Sequence, residues 1–332
     1  MTKIAINGLG RMGKLVLRRL FDMGLGSQIA FINDPFGDIA THALLIEFDT
    51  VHGRWAGDVE HDANSIKVRG HKIPFCQSKS LTDLPLAGVD LVVECSGKFK
   101  TSEALQPYFD AGVKKTVISA PVKIPEAANI VYGVNHEIYA DQRIVTAASC
   151  TTNCIAPVVK VMLENFGIEQ ASFTTIHDVT NTQTIVDKPH KDPRRARSAL
   201  NSLIPTTTGS AKAIIQIYPE LEGRINGHAV RVPLLNASLT DIVFDVARDV
   251  STDDVNAAMK AASQGDLQDI LGFEDRPLVS CDFTDDARST IVDGPSTMVV
   301  NKRQVKIYAW YDNEWGYVCR LADITKMVAA SL

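Results

Sequence analysis

In the first half of the chain, short apolar runs closed by glycine, proline or an acidic residue alternate with longer stretches of helical spacing. Residues 3–7, 29–33, 90–95, 115–119 and 143–147 read as buried strands. Helical stretches follow several of them. One carries Leu15, Leu17, Leu20 and Phe21 among basic residues, and 101–109 reads as a second, with Thr101 or Ser102 as its cap. Runs around Ile66 and Ile73 fit a hairpin. Strands alternating with helices predict a Rossmann-type, doubly wound parallel sheet, in which ligands sit at the carboxyl ends of the strands.

After about residue 166 the pattern changes. Residues 171–176 alternate and end at His177, and 228–233 and 239–246 read as further strands. Residues 252–262 fit an amphipathic helix, with Asp253 and Asp254 placed to suit its dipole. Residues 298–300 and 305–310 pair around the turn Asn301-Lys302-Arg303, and 313–331 close the chain as a helix. An α+β catalytic domain with a mostly antiparallel sheet is expected here. The expected boundaries are residues 1–149 with the C-terminal helix 314–332 for the nucleotide domain, and 150–313 for the catalytic domain.

Two junctions carry chemistry. Gly8-Leu9-Gly10-Arg11-Met12-Gly13 lies between a strand and a helix, the context in which a G-x-G-x-x-G loop lets backbone approach a pyrophosphate. Asp34 ends the next strand. There it can accept hydrogen bonds from ribose hydroxyls and repel a 2′-phosphate, which favours NAD over NADP. A surface turn aspartate before Pro35 is the other reading. Cys150 follows a strand and opens a helical stretch, so helix N–H groups and the dipole favour its thiolate. A small buried core cysteine fits the same stretch. Residues 180–201 form a long, charge-rich segment without periodicity, which in a compact domain points to function.

Composition narrows the class. The 332 residues are 45% hydrophobic and 22% charged, with a net charge of −5, so nothing attracts the chain in bulk to nucleic acid or an anionic membrane. No apolar run reaches about 18 residues, and the first residues show no charged segment followed by a long apolar one, so neither a membrane span nor a secretion signal is expected. Six scattered cysteines fit no metal-ligand spacing, so reduced thiols in a cytoplasmic protein without a metal are expected.

Asn7-Gly8-Leu9-Gly10-Arg11-Met12-Gly13, Ser149-Cys150-Thr151-Thr152-Asn153-Cys154, Thr206-Thr207-Thr208-Gly209, Arg231-Val232-Pro233 and Trp310-Tyr311-Asp312-Asn313-Glu314 occur in that order. Through them the chain resembles the phosphorylating glyceraldehyde-3-phosphate dehydrogenases over essentially its whole length. The resemblance implies Cys150 as nucleophile and His177 as general base. It implies that Ser149, Thr151, Thr180, Arg197, Thr208, Gly209 and Arg231 bind the two anions, glyceraldehyde 3-phosphate and phosphate. For NAD it implies Gly8, Gly10, Arg11, Met12, Gly13, Asp34, Gln77, Ser119 and Asn313, the last on the nicotinamide carboxamide. It also implies a homotetramer. Lys191, Arg194 and Arg195 read instead as surface or inter-subunit charges.

Several positions depart from the common pattern. Arg231 is followed by Val232-Pro233-Leu234-Leu235-Asn236-Ala237-Ser238, and Glu94 by Cys95-Ser96-Gly97. Lys188 precedes Pro189, which leaves NADP open as a second cofactor. Val51-His52-Gly53-Arg54-Trp55, the run 234–241 and Ile291-Val292-Asp293 resemble a branch encoded beside arsenic-resistance transporters, which implies arsenate in place of phosphate. Erythrose 4-phosphate is the alternative sugar. RNA binding is the alternative class, opposed by the acidic balance and by the lack of aromatic residues among the basic ones of 188–197.

Overall fold

The computed structural model describes residues 1–332 and divides by internal contacts into two compact units. Residues 1–132, 136–149 and 318–332 form the first, and residues 133–135 and 150–317 the second.

The first unit is built on a nine-stranded sheet. Its neighbours run Ala128–Asn129, Ile144–Thr146, Lys115–Ile118, Leu91–Glu94, Ile4–Asn7, Ile29–Asn33 and His71–Cys76, all parallel. The antiparallel strands Ser65–Val68 and Val59–His61 finish that edge. Chain order reverses direction about the central strand Ile4–Asn7, the switch point at which a doubly wound sheet opens a crevice. All four residues of that strand are buried, as expected for a strand covered on both faces.

Side-chain hydrogen bonds tie together the carboxyl ends of three neighbouring strands. Asn7 Nδ2 donates to Glu94 Oε2 at 2.7 Å, and Asn33 Nδ2 donates to Asn7 Oδ1 at 2.7 Å. Tyr108 OH donates to the same Glu94 oxygen at 2.7 Å. Burial pushes the Glu94 carboxyl up, against the pull of Ser96, Asn7 and Tyr108. The network fixes where the glycine loop leaves the sheet.

Helix Arg11–Asp22 follows that loop, and helix Ser102–Asp110 is capped by Thr101, whose side chain accepts from Ala104 N. In the 40–70 region, where periodicity predicts little, helix Ile39–Glu47 starts at an Asp38 cap bonded to Thr41 N at 2.7 Å. Leu44 and Leu45 are exposed on it, so no clean apolar stripe marked it in the sequence.

The second unit holds an eight-stranded sheet. Its neighbours are Ile204–Thr207, Ile225–Arg231, Ile168–His177, Ser238–Val246, Gln304–Tyr311, Thr290–Asp293 and Leu271–Glu274, with Met298–Val300 paired to Gln304–Tyr311. Ile168–His177 runs parallel to Ile225–Arg231 and Leu271–Glu274 to Thr290–Asp293; the remaining pairs are antiparallel. Helix Cys150–Phe166 packs against this sheet and against helices Ser210–Ile217 and Thr252–Gln264. Residues Thr151 to Val159 are all buried, which explains the apolar run behind the nucleophile motif. Thr252–Gln264 opens with a capping box between Ser251 and Asp254. The last helix, Trp315–Ala330, belongs to the first unit from Val318 onward. No helix is long and apolar enough to cross a membrane.

Candidate active site

The strand Ile144–Thr146 turns into helix Cys150–Phe166 through Ala148, held at φ 52°. An L-residue there costs about 1–2 kcal/mol. Thr146 Oγ1 accepts from Ala148 N at 2.9 Å and steadies the turn. The turn makes Cys150 the first helical residue, where N–H groups have no partner within the helix.

Within the second unit, the Cys150 sulfur lies 3.6 Å from His177 Nε2. His177 ends the strand Ile168–His177 and is 3% exposed. Burial alone would raise the Cys150 thiol. The hydrogen bond and charge of His177 outweigh it, and the thiol falls below its ordinary value. Burial alone would also lower His177. The Asp178 carboxylate and Cys150 overturn that and raise it to about 9. The two therefore favour a thiolate–imidazolium pair. Cys154 shows what the same residue does without a histidine. It lies 3.4 Å from Thr290 Oγ1 and 3.7 Å from Thr240 Oγ1, and burial pushes it up to about 12.

Arg231 is paired in register with His177, and its guanidinium donates to the Asp178 carbonyl at 3.1 Å. Burial, and to a smaller extent the Arg195 charge, pulls the Arg231 pKa down. Arg195 donates to Thr182 Oγ1 at 3.2 Å, and Thr182 lies 2.9 Å from Thr180 Oγ1. Arg197 turns the other way, exposed and paired to Asp187 at 2.7 Å. Thr208 accepts from Ser210 N at 3.2 Å, and Gly209 caps helix Ser210–Ile217. Thr151 is buried, with its hydroxyl 3.0 Å from Tyr311 OH. Ser149 is half-buried beside the nucleophile. Asn313 donates to Asp178 Oδ2 at 2.7 Å and accepts from Ser238 Oγ at 3.1 Å.

In the first unit, the glycines meet the demands of a dinucleotide loop. Gly8 takes φ 94°, and a Cβ there would lie 2.5 Å from Ser96 N. At Gly13 it would lie 1.8 Å from the Gly8 carbonyl oxygen; at Gly10, the N-cap, it would meet nothing within 4 Å. The loop is packed tightly behind and open in front, which fits a pyrophosphate on the helix N-terminus. Asp34 Oδ2 accepts from Leu9 N at 2.8 Å and Oδ1 from Phe36 N at 3.0 Å, leaving lone pairs for ribose hydroxyls. Arg11 is paired with Asp49. That pair and two backbone N–H groups overcome burial and hold the Asp49 carboxyl at about 2. Gln77 donates to Gly37 O at 2.7 Å, beside the turn after Asp34. Met12 and Ser119 are half-buried, and Ser119 N bonds to Glu94 O.

Gly13→Ala is expected to destabilise the chain by about 1–3 kcal/mol, because the clash is with backbone. NAD binding should weaken on the order of tenfold or more as the loop shifts. Thermal melting and an NAD titration check both.

Sequence reasoning passed over Asp178, Tyr311 and Glu94 as individual groups. Tyr311 OH accepts or donates between Thr151 and Thr175, at 3.0 and 2.7 Å, and so links the helix start to two strands. Only the apolar-to-acidic step after His177 could have drawn attention to Asp178.

Residues 2–102 match the NAD binding domain of glyceraldehyde 3-phosphate dehydrogenase, and residues 149–313 match its C-terminal domain. The chain is 55% identical to glyceraldehyde-3-phosphate dehydrogenase 3 of Nostoc sp., with 99% of each chain covered. It is 47% identical to the glyceraldehyde-3-phosphate dehydrogenase of Pseudomonas aeruginosa, covering 99% of this chain and 98% of that one. For glyceraldehyde-3-phosphate dehydrogenase 2 of Bacillus subtilis the identity is 44%, with 99% and 97% covered. The chain belongs to the glyceraldehyde-3-phosphate dehydrogenase family.

Proposed function

We propose that this member of the family oxidises glyceraldehyde 3-phosphate with NAD and inorganic phosphate, through a thioester on Cys150. One observation carries the reading: a thiol at a helix start, 3.6 Å from a histidine that holds it below its ordinary pKa. The Cys150 thiolate attacks the aldehyde carbon and forms the C–S bond. The oxyanion that develops takes the proton of the His177 imidazolium, giving a neutral thiohemiacetal. Sulfur has then lost its negative charge, and with it part of what held His177 up. Neutral Nε2 can therefore take the hydroxyl proton back as the C–H hydride departs. NAD, when bound, supplies the hydride acceptor. The thioester stores the oxidation free energy. Phosphate attack, with the imidazolium stabilising the second oxyanion, releases the acyl phosphate and restores the thiolate.

Gly8, Gly10, Gly13 and Asp34 would hold the dinucleotide, with Arg11, Met12, Gln77 and Ser119 along it and Asn313 on the carboxamide. Asp34 and Pro189 favour NAD over NADP. Arg231 and Thr180 would bind one anion, and Ser149, Thr208 and Gly209 the other. Arg195, bonded to Thr182, would take the anion role expected of Arg197, which is paired to Asp187. Thr151 would act from behind the helix start rather than face an anion. We place the protein in the cytoplasm as a homotetramer.

The test is initial-rate NADH formation from glyceraldehyde 3-phosphate, with phosphate and arsenate each varied to saturation. Saturable rates with phosphate are expected. A specificity constant at least about tenfold higher for arsenate, a difference of about 1.4 kcal/mol, would move the physiological acceptor to arsenate. No activity with either acceptor, but activity with erythrose 4-phosphate, would replace the sugar.

A further inference from the structure

The carboxylate beside the base is the most unusual group in the site. Asp178 is 1% exposed, and a buried carboxylate is retained only when its oxygens are satisfied. Its Oδ1 lies 2.7 Å from His177 Nδ1 and 3.3 Å from Ser238 Oγ, and its Oδ2 2.7 Å from Asn313 Nδ2. Its own N–H donates to Ser238 Oγ at 3.2 Å. These partners come from the ends of three strands, because Ser238 opens Ser238–Val246 and pairs with Tyr311, two residues before Asn313. We propose that Asp178 is a positioning residue for His177, holding the ring with Nδ1 on its carboxylate and Nε2 on the Cys150 sulfur. The nucleophile and base then act as a Cys–His–Asp chain that ends on Asn313. The inference rests on the proposed reaction and adds a residue to its machinery.

The tautomer follows from the donor inventory. Nδ1 also lies 2.7 Å from Arg231 NH1, but a guanidinium only donates and cannot serve a protonated Nδ1. Nδ1–H therefore faces residue 178, with the carboxylate at 2.7 Å and the Asp178 carbonyl at 2.9 Å; Arg231 donates to that carbonyl at 3.1 Å, which leaves the carboxylate as the acceptor not shared with the guanidinium. Burial raises the Asp178 carboxyl, while His177 and Asn313 pull it down. The donors aimed at both oxygens stabilise its ionised form. The charged and titratable groups around the ring are then Cys150 from the helix, Arg231 from its strand, Tyr311 edge-on at 6.0 Å, and Asp178 itself, with Glu314 acting on Asp178. Asp178 and the Cys150 thiolate favour the imidazolium, and Arg231 opposes it.

The experiment is the pH profile of Cys150 alkylation by iodoacetamide on the cofactor-free, full-length chain, with the labelling of the Cys150→Ser chain subtracted to remove Cys281, Cys76 and Cys95. The unsubstituted chain should be reactive below the ordinary thiol range, with a second inflection at about 9, where the imidazolium loses its proton. Asp178→Asn keeps the shape and removes the charge. It should move the inflection at about 9 down by about one pH unit, a tenfold loss of imidazolium stability, and lower the hydride-transfer rate more than it raises KM. In an Asp178→Asn/His177→Asn double variant the first substitution should add nothing, whereas a purely structural role would add its full effect. An unchanged profile in folded Asp178→Asn, or full additivity, overturns the proposal. If Asp178→Asn does not fold, the unsubstituted profile decides: without the inflection at about 9 the proposal falls. The expected profiles in a chain that does not oxidise glyceraldehyde 3-phosphate would leave Asp178's role standing and remove the proposed reaction.

Discussion

Cys150→Ser is expected to reduce glyceraldehyde 3-phosphate oxidation by about 10⁴-fold, roughly 5 kcal/mol of barrier. A serine hydroxyl has no accessible anion near neutral pH, and the neighbouring histidine that draws the proton off a thiol cannot draw it off an alcohol to the same degree. No other cysteine can substitute. Cys154 is buried and Cys95 half-buried, each pushed up to about 12; Cys319 is buried, and burial raises the thiol of the half-buried Cys76. Cys281 is exposed, so the variant should still take up one equivalent of iodoacetamide slowly while losing the fast equivalent. NAD affinity should stay within about threefold, because the glycine loop and Asp34 are untouched. Stopped-flow NADH formation with labelling stoichiometry measures all three. A residual rate above about 1% would remove Cys150 as the nucleophile.

What could be read in the sequence was local. The glycine loop between a strand and a helix, and the strand-to-helix junction at Cys150, are carried by adjacent residues and by periodicity. The structure places an element at each expected strand, from Ile4–Asn7 to Gln304–Tyr311. Helix Ile39–Glu47 was not legible because its exposed Leu44 and Leu45 blur the apolar stripe, and only Asp38 announces it. Strands Thr290–Asp293 and Leu271–Glu274 were also missed, since four-residue runs do not separate from loop background.

Site chemistry that depends on distant strands was hidden for a different reason. Asp178 follows a strand in sequence, where an acidic residue normally means a solvated turn. Its burial exists only because Ser238 and Asn313, 60 and 135 residues away, close over it. Arg195 and Arg197 cannot be told apart from composition, as both lie in a loop without periodicity. The backbone sends one to Thr182 and the other to Asp187. Glu94 reads as the end of a strand, and only the fold brings Asn7 and Tyr108 to it.

His177→Asn is expected to lower the rate of hydride transfer about 10³-fold, within the usual range for a positioned acid–base group and equal to about 4 kcal/mol. Asparagine can donate a hydrogen bond but cannot move a proton, so the thiohemiacetal hydroxyl loses its base. The nucleophile should change too. His177 is the group that brings the thiol below its ordinary value, so in the variant the Cys150 pKa should rise. The sign follows from the pair. In the unsubstituted protein activity should appear as pH rises through the depressed thiol pKa and fall as it passes about 9, where the imidazolium proton is lost. In His177→Asn the acid limb should move up, and the alkaline limb at about 9 should vanish because the group that titrates there is gone. Pre-steady-state rates and iodoacetamide alkylation, each measured across pH, separate the two effects. A variant that kept the low-pH thiolate but lost hydride transfer would make His177 a base alone. One that lost the thiolate but kept near-normal hydride transfer at high pH would make it an ion-pair partner alone. The 3.6 Å contact from Nε2 to sulfur puts one nitrogen within reach of both tasks, and both losses are expected together.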